Sequence, residues 1–229
     1  MKWGVVRFPG SLDEGETVFA LREVLGQEAS ILWHKDEQLY GAQCVVLPGG
    51  FSYGDYLRCG AIARFSPIMR SVTKFAAEGG LVIGICNGFQ ILCEAHLLPG
   101  APTRNRSLSF ICDRVNVRVE NARTPFTCAA AAGEVMRLPI KHGEGRYVAP
   151  EESIREIEER GQVLLRYVDA AGVEKDEANP NGSMHSIAGV ANERFNVFGL
   201  MPHPEHAAEK MLGGEDGLKI FRSVIESVR

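Results

Sequence analysis

The stretch "LVIGICNGFQIL", residues 81–92, decides how the rest of the chain is read. Its first five residues are apolar or small and read as a buried strand. From Asn87 onward the apolar spacing becomes helical. Cys86 stands where strand turns into helix, with Gly84 and Gly88 two positions away on either side. A strand running straight into a helix is the unit of an α/β sheet.

The same alternation extends in both directions. Upstream, "WGVVRF" (3–8), "ASILWH" (29–34) and "CVVLP" (44–48) read as short apolar strands. Between them, Val18, Leu21, Val24 and Leu25 fall at helical spacing, as do Ile62, Phe65, Met69, Val72 and Ala76. Downstream the pattern loosens. "FICDRVNVRVE" (110–120) alternates from Val115 as a strand with one wet face does, and "VMRLPIKHGEGRY" (135–147) reads as a short strand followed by a glycine-rich loop. Residues 151–160 read as a polar helix, "QVLLRYV" and "NVFGLMP" as strands. Leu218, Phe221, Ile225 and Val228 mark one face of a last helix. The expected fold is α/β: an open, mostly parallel sheet flanked by helices, with a smaller antiparallel β portion. No linker interrupts the pattern, so residues 1–229 are expected to form one domain.

Composition narrows the function classes. The chain has 229 residues and a formal charge of -4, with no run of lysines and arginines, so no nucleic-acid partner is expected. No apolar run reaches the roughly 18–20 residues of a membrane span. The apolar start is short and is broken at Pro9-Gly10, unlike a signal peptide. A cytoplasmic protein with reduced thiols is expected. The six cysteines include no CxxC pair, so no structural metal is expected.

Five of those cysteines, Cys44, Cys59, Cys93, Cys112 and Cys128, read as small hydrophobes. Cys86 differs by its setting. "GICNG" is the sulfur counterpart of the Gly-x-Ser-x-Gly elbow, a tight strained turn that exposes a nucleophile above the sheet and tolerates only tiny neighbours at plus and minus two. The positive end of the following helix favours thiolate, and the amide of Asn87 points where an oxyanion forms. A second amide, that of Gly50, is available in "LPGGFSYGDYLR" (47–58), where paired glycines at a strand end leave backbone N–H groups bare. Among the six histidines, His203 is the best placed base: it follows an apolar strand, and Glu205, two residues on, can orient its ring. His34 and His96 are given no role, His185 and His206 are expected to face solvent, and His142 is a candidate wall of a pocket. Cys86, His203 and Glu205 form a triad by role.

"PGGFSYG", "GICNGFQ" and "MPHPE", in this order, resemble the class I (triad) glutamine amidotransferases. Together with "FPGS", "GDYLRCGAIA", "RNRSLSF", "PIKHGEGRY", "NPNGS" and "IAGVAN", they make nearly the whole chain similar to the glutaminase subunits of phosphoribosylformylglycinamidine synthases, which serve purine biosynthesis. The resemblance implies that Cys86 attacks the side-chain amide of L-glutamine and that His203 is base and then acid. Glu205 would orient His203, and the amides of Gly50 and Asn87 would hold the oxyanion. Gly49, Phe51 and Gln90 would help to hold the substrate, with residues 142–146 a weaker candidate. No cofactor is implied in this chain. ATP and magnesium belong to a large synthase subunit that uses the ammonia, and a small third subunit is expected. The alternatives are the glutaminase of another amidotransferase and a catalytically silent regulatory module of the same fold. Two places depart from the pattern. Leu12 and Asp13 stand where asparagine and cysteine are expected, and His206 where arginine is. Neither is expected to touch the triad.

Overall fold

The computed structural model describes residues 1–228. In chain order the elements are β1 (Lys2–Arg7), α1 (Glu14–Phe19), β2 (Glu28–Trp33), β3 (Cys44–Leu47), α2 (Pro67–Ala77), β4 (Leu81–Ile85) and α3 (Asn87–Glu94). There follow β5 (Ala101–Thr103), β6 (Ile111–Val119), β7 (Val135–His142), β8 (Arg146–Val148), α4 (Glu151–Glu159), β9 (Val163–Val168), β10 (Ile187–Ala191), β11 (Val197–Leu200) and α5 (Leu218–Ser227). One sheet of nine strands runs in the order β2-β1-β3-β4-β11-β10-β9-β6-β7, and β5 pairs with β8 separately.

The five strands from β2 to β11 are parallel to their neighbours; β10, β9, β6 and β7 continue the same sheet antiparallel. The expected antiparallel portion is therefore an arm of the main sheet. Its central strands β3, β10 and β11 are buried along their whole length. Burial on both faces explains their unbroken apolar sequences. At one edge, β2 exposes Ile31 and Trp33. Trp3 of β1 meets Phe221 of α5 edge to face at 6.1 Å between ring centroids.

Several local expectations change. The helix expected over 62–76 starts at Pro67, because Ser66 is extended (φ -59, ψ 142) as a residue before proline prefers. Residues 63–65 form a separate 3-10 turn. The helix expected around 18–25 divides into α1 and a wider π-type turn, Ala20–Val24. Strand β7 is eight residues long, not short. The strand β10 and the β5–β8 pair were not expected; "IAGVA" is fully buried, short and built of small residues, so it carries no alternation. Cys112 and Cys128 are exposed rather than buried hydrophobes, and Cys59 is intermediate.

The β4–β11 pairing positions the site. Val197, Phe198, Gly199 and Leu200 lie in register with Val82, Ile83, Gly84 and Ile85. Both strands end together, and the Cys86 N–H donates to the Leu200 carbonyl at 2.8 Å. Strand β7, last in the sheet order, returns to this same end: the His203 N–H donates to the Pro139 carbonyl at 2.8 Å.

The elbow leaves no room for side chains beside it. A Cβ at Gly84 would lie 2.6 Å from the Gly88 carbonyl oxygen, and one at Gly88 would lie 1.9 Å from the Leu47 carbonyl oxygen. Backbone atoms cannot yield as a flexible side chain does. Gly88→Ala is expected to lower stability by at least about 2 kcal/mol, read as a fall in the urea midpoint. An unchanged midpoint would show that the elbow can open.

Candidate active site

Cys86 adopts φ 50, ψ -105, a conformation that non-glycine residues avoid and that concentrates where function demands it. The strain aims the side chain off the sheet, and Sγ lies 3.8 Å from the Lys141 carbonyl. Asn87 opens α3, so its amide is among those without an intrahelical acceptor.

The candidate base, His203, follows the neighbouring strand β11. His203 Nδ1 is 2.5 Å from Glu205 Oε1, and both side chains are fully buried. Burial alone would pull the His203 pKa down. The negative charge of Glu205, and then that of Cys86, outweigh it and hold the imidazole well above its usual range. An imidazolium between a carboxylate and a sulfur is the arrangement a thiolate nucleophile uses.

Cys86 opens on a cleft of about 120 Å³, whose walls include Gly50, Phe51, Gln90, His142 and Glu144. That is small beside the roughly 300–1,000 Å³ of drug-sized sites. A larger hollow of about 600 Å³, bounded by Thr73, Cys93 and Arg160, includes none of the candidate catalytic residues. Chemistry rather than size picks out the smaller one. Of the residues expected to hold a substrate, Phe51 and Gln90 line the cleft. Gly49 instead packs under the base: a Cβ there would meet Asp13 Oδ2 at 2.4 Å and His203 Cε1 at 2.6 Å.

Some organising residues carry no catalytic signature in the sequence. The Asn87 side chain joins the elbow to the glycine loop. Its Oδ1 accepts from the Ser52 N–H at 3.0 Å and from the Ser52 hydroxyl, and its Nδ2 donates to Gln90 Oε1 at 2.8 Å. The Gln90 amide then donates to the Glu144 carbonyl at 2.5 Å. Asn105, fully buried, accepts from the Gly145 N–H at 3.0 Å and donates to the His142 carbonyl at 2.8 Å. Only the recurrence of Asn and Gln at loop ends hints at such bracing. His34, given no role, supports the glycine loop through the Tyr53 hydroxyl, 2.7 Å from its Nδ1.

Two expectations are overturned here. His206 does not simply face solvent: its Nε2 is 3.0 Å from Asp13 Oδ1 and 3.0 Å from Lys141 Nζ. Asp13, expected to lie clear of the triad, places Oδ2 3.6 Å from His203 Nδ1. A short loop segment held to Gly49 by backbone hydrogen bonds carries Asp13 inward, which no local pattern signals.

The chain matches the CobB/CobQ-like glutamine amidotransferase domain over residues 1–214. It belongs to this family. It is 56% identical over 227 residues to the phosphoribosylformylglycinamidine synthase subunit PurQ of Salinibacter ruber, spanning 99% of this chain and 97% of that one. It is 54% identical to the corresponding subunit of Thermomicrobium roseum, spanning 98% and 95%. Among solved structures, it is similar to PurLQS from Thermotoga maritima, with a TM-score of 0.89 and 46% identity over 100% of this chain and 99% of that one. A second protein of Thermotoga maritima, a glutamine amidotransferase, shares the fold at 18% identity and a TM-score of 0.59, over 99% of this chain and 97% of that one.

His142 gives a pH-dependent signature to this site. Burial, and next the charge of His203, lower its pKa from 6.5 to about 4. Between those values the unfolded chain binds the proton and the folded one does not, so stability falls as pH drops from 6.5 toward 4. This group's share of the fall is roughly 3 kcal/mol at most. In His142→Gln the loss between pH 7 and pH 4.5 is expected to shrink by roughly 2 kcal/mol, measured by urea unfolding at both values. An undiminished loss would mean that His142 is not held neutral by the fold.

Proposed function

We propose that this chain is the glutamine-hydrolysing subunit of a phosphoribosylformylglycinamidine synthase, the whole chain acting as one glutaminase domain in the cytoplasm. The observation that carries the reading is the meeting of Cys86, on a strained turn after β4, with His203 and Glu205 after the adjacent parallel β11.

The chemistry follows from the geometry. Glutamine enters the cleft with its side-chain carbonyl over Cys86, beside Phe51 and Gln90. Sγ attacks the amide carbon, and His203 holds the thiol proton. The carbonyl oxygen becomes an oxyanion between the amides of Gly50 and Asn87. His203 passes its proton to the departing nitrogen, ammonia leaves, and a glutamyl thioester remains. Water then attacks the thioester, giving its proton to His203, which returns it to the sulfur as glutamate departs. Glu205 keeps the ring in the required tautomer throughout.

Ammonia in neutral water is mostly ammonium, which is not a nucleophile, so it has to move under cover. The mouth of the cleft suits a covering partner: Phe51 and Phe110 are half exposed, 6.4 Å apart between ring centroids. Tyr56, Leu57 and Leu108 nearby in sequence are 73%, 89% and 77% exposed. Exposed apolar clusters of this kind mark interaction surfaces. The partner in this reading is the large synthase subunit, which holds ATP and magnesium and converts formylglycinamide ribonucleotide to the amidine. A small third subunit completes the assembly. No helix among the described residues is long and apolar enough to cross a membrane.

The test is reconstitution with the large and small subunits. Cys86→Ala is expected to abolish amidine formation from glutamine while leaving formation from ammonium chloride intact. Glu205→Gln is expected to lower the glutamine-dependent rate by roughly 10³-fold or more. Glutamine-dependent turnover that survives in Cys86→Ala would overturn the assignment.

A further inference from the structure

The groups facing His203 come from four parts of the chain. Glu205 and His206 lie just after it, and Cys86 occupies the β4–α3 turn. His142 and Lys141 end β7, and Asp13 lies in the loop before α1. Among these, Asp13 has no place in the triad chemistry above. Resting on the reading that Cys86, His203 and Glu205 hydrolyse glutamine, we infer that Asp13 is a second carboxylate for the catalytic imidazole, a positioning residue that acts through His203.

The geometry supports this at each step. Asp13 is 2% exposed. Its place is set by backbone: the N–H groups of Leu12 and Asp13 both donate to the Gly49 carbonyl, at 3.0 and 3.3 Å, and the Thr17 hydroxyl donates to the Asp13 carbonyl at 2.8 Å. The two carboxylate oxygens then do different work. Oδ1 accepts from the Lys141 ammonium and lies 3.0 Å from His206 Nε2. Oδ2 is buried, has no hydrogen-bond partner among the described residues, and is 3.6 Å from His203 Nδ1. The Nδ1 hydrogen is directed to Glu205 at 2.5 Å, so Asp13 acts on the ring by its charge rather than by a second hydrogen bond. Only glycine at position 49 allows the approach, since a side chain there would run into both groups.

Charge balance gives the contact its purpose. Lys141 is brought to the site because β7 passes the nucleophile, its carbonyl 3.8 Å from Cys86 Sγ. An ammonium left uncompensated there would oppose formation of the imidazolium. Asp13 neutralises it, and its free oxygen adds a negative field on the side of the ring where Glu205 already sits. Asp13 is held as a carboxylate: burial works against ionisation, but the His206 hydrogen bond, the His203 charge and the Lys141 contacts overcome it and lower its pKa to about 2. The two positions at which the sequence departs from the amidotransferase pattern therefore meet, Asp13 against His206, directly behind the base. Asp13, His203, Glu205 and His206 offer donor atoms within 4.8 Å of one another, yet the Lys141 ammonium already provides the countercharge in that space.

The experiment uses the complex reconstituted with the synthase subunits and reads kcat and KM for glutamine hydrolysis from pH 5 to 10, with urea midpoints as a fold control. Asp13→Asn keeps the shape and removes the charge. It is expected to lower kcat roughly tenfold, to leave KM within about twofold, and to move the alkaline limb of kcat acidward by roughly half to one pH unit, because the imidazolium loses support. Lys141→Met removes the opposing cation and is expected to move that limb the other way. A structural role alone would lower kcat or the urea midpoint in both variants without moving the limb. An Asp13→Asn limb and kcat matching wild type overturn the inference. If that variant does not fold, an unmoved limb in Lys141→Met overturns it and an alkaline shift supports it. Wild-type complex that does not hydrolyse glutamine, or Cys86→Ser complex that does, sinks the underlying assignment instead.

Discussion

Parallel, in-register pairing of β4 with β11 is the constraint on which everything else in this molecule rests. Backbone hydrogen bonds bring two strands that are far apart in sequence to a common end, so that Cys86, one residue past β4, and His203, three residues past β11, emerge side by side. The thiol of Cys86 and the imidazole of His203 are neighbours for that reason. In α/β sheets the loops beyond the carboxyl ends of the strands are where ligands bind. Here those loops include the elbow, the glycine loop after β3 and the segment after β11.

A second constraint is steric and acts where three backbone segments converge. Cys86 takes its positive φ where the backbones of β3, β4 and α3 approach so closely that glycine alone fits at 84 and 88. Close approach then allows the side chain of Asn87 to reach the glycine loop and that of Gln90 to reach the loop after β7. The rigid elbow thus aligns three separate loops around one sulfur. Pre-positioned donors and bases of this sort lose little entropy at the moment of reaction.

Charge is the third element. His203, Glu205 and Asp13 are buried almost completely, where an unpaired ion costs far more than it does in water. The site resolves this by grouping. Two carboxylates lie together with one ammonium and two imidazoles, so that an imidazolium at His203 is the species the surroundings favour. Asp13 and His206, expected to lie clear of the triad, do not act as separate surface residues. In the folded chain they form one cluster with Lys141 of β7, and the cluster abuts His203.

What the sequence by itself determined is local. The apolar strand, the cysteine at its end and the flanking glycines specify an elbow because sterics over five residues allow little else. Alternating strands and helices specify an α/β sheet because apolar faces have to be covered. His203 and Glu205 are legible as a pair because two residues of extended chain hold them together. The tertiary structure alone decided the order of strands, the return of β7 to the carboxyl ends of β4 and β11, the burial of "IAGVA" and the entry of Asp13 from the start of the chain. These depend on which surfaces meet at long range, and hydrophobic periodicity records that a face is buried but not what it is buried against.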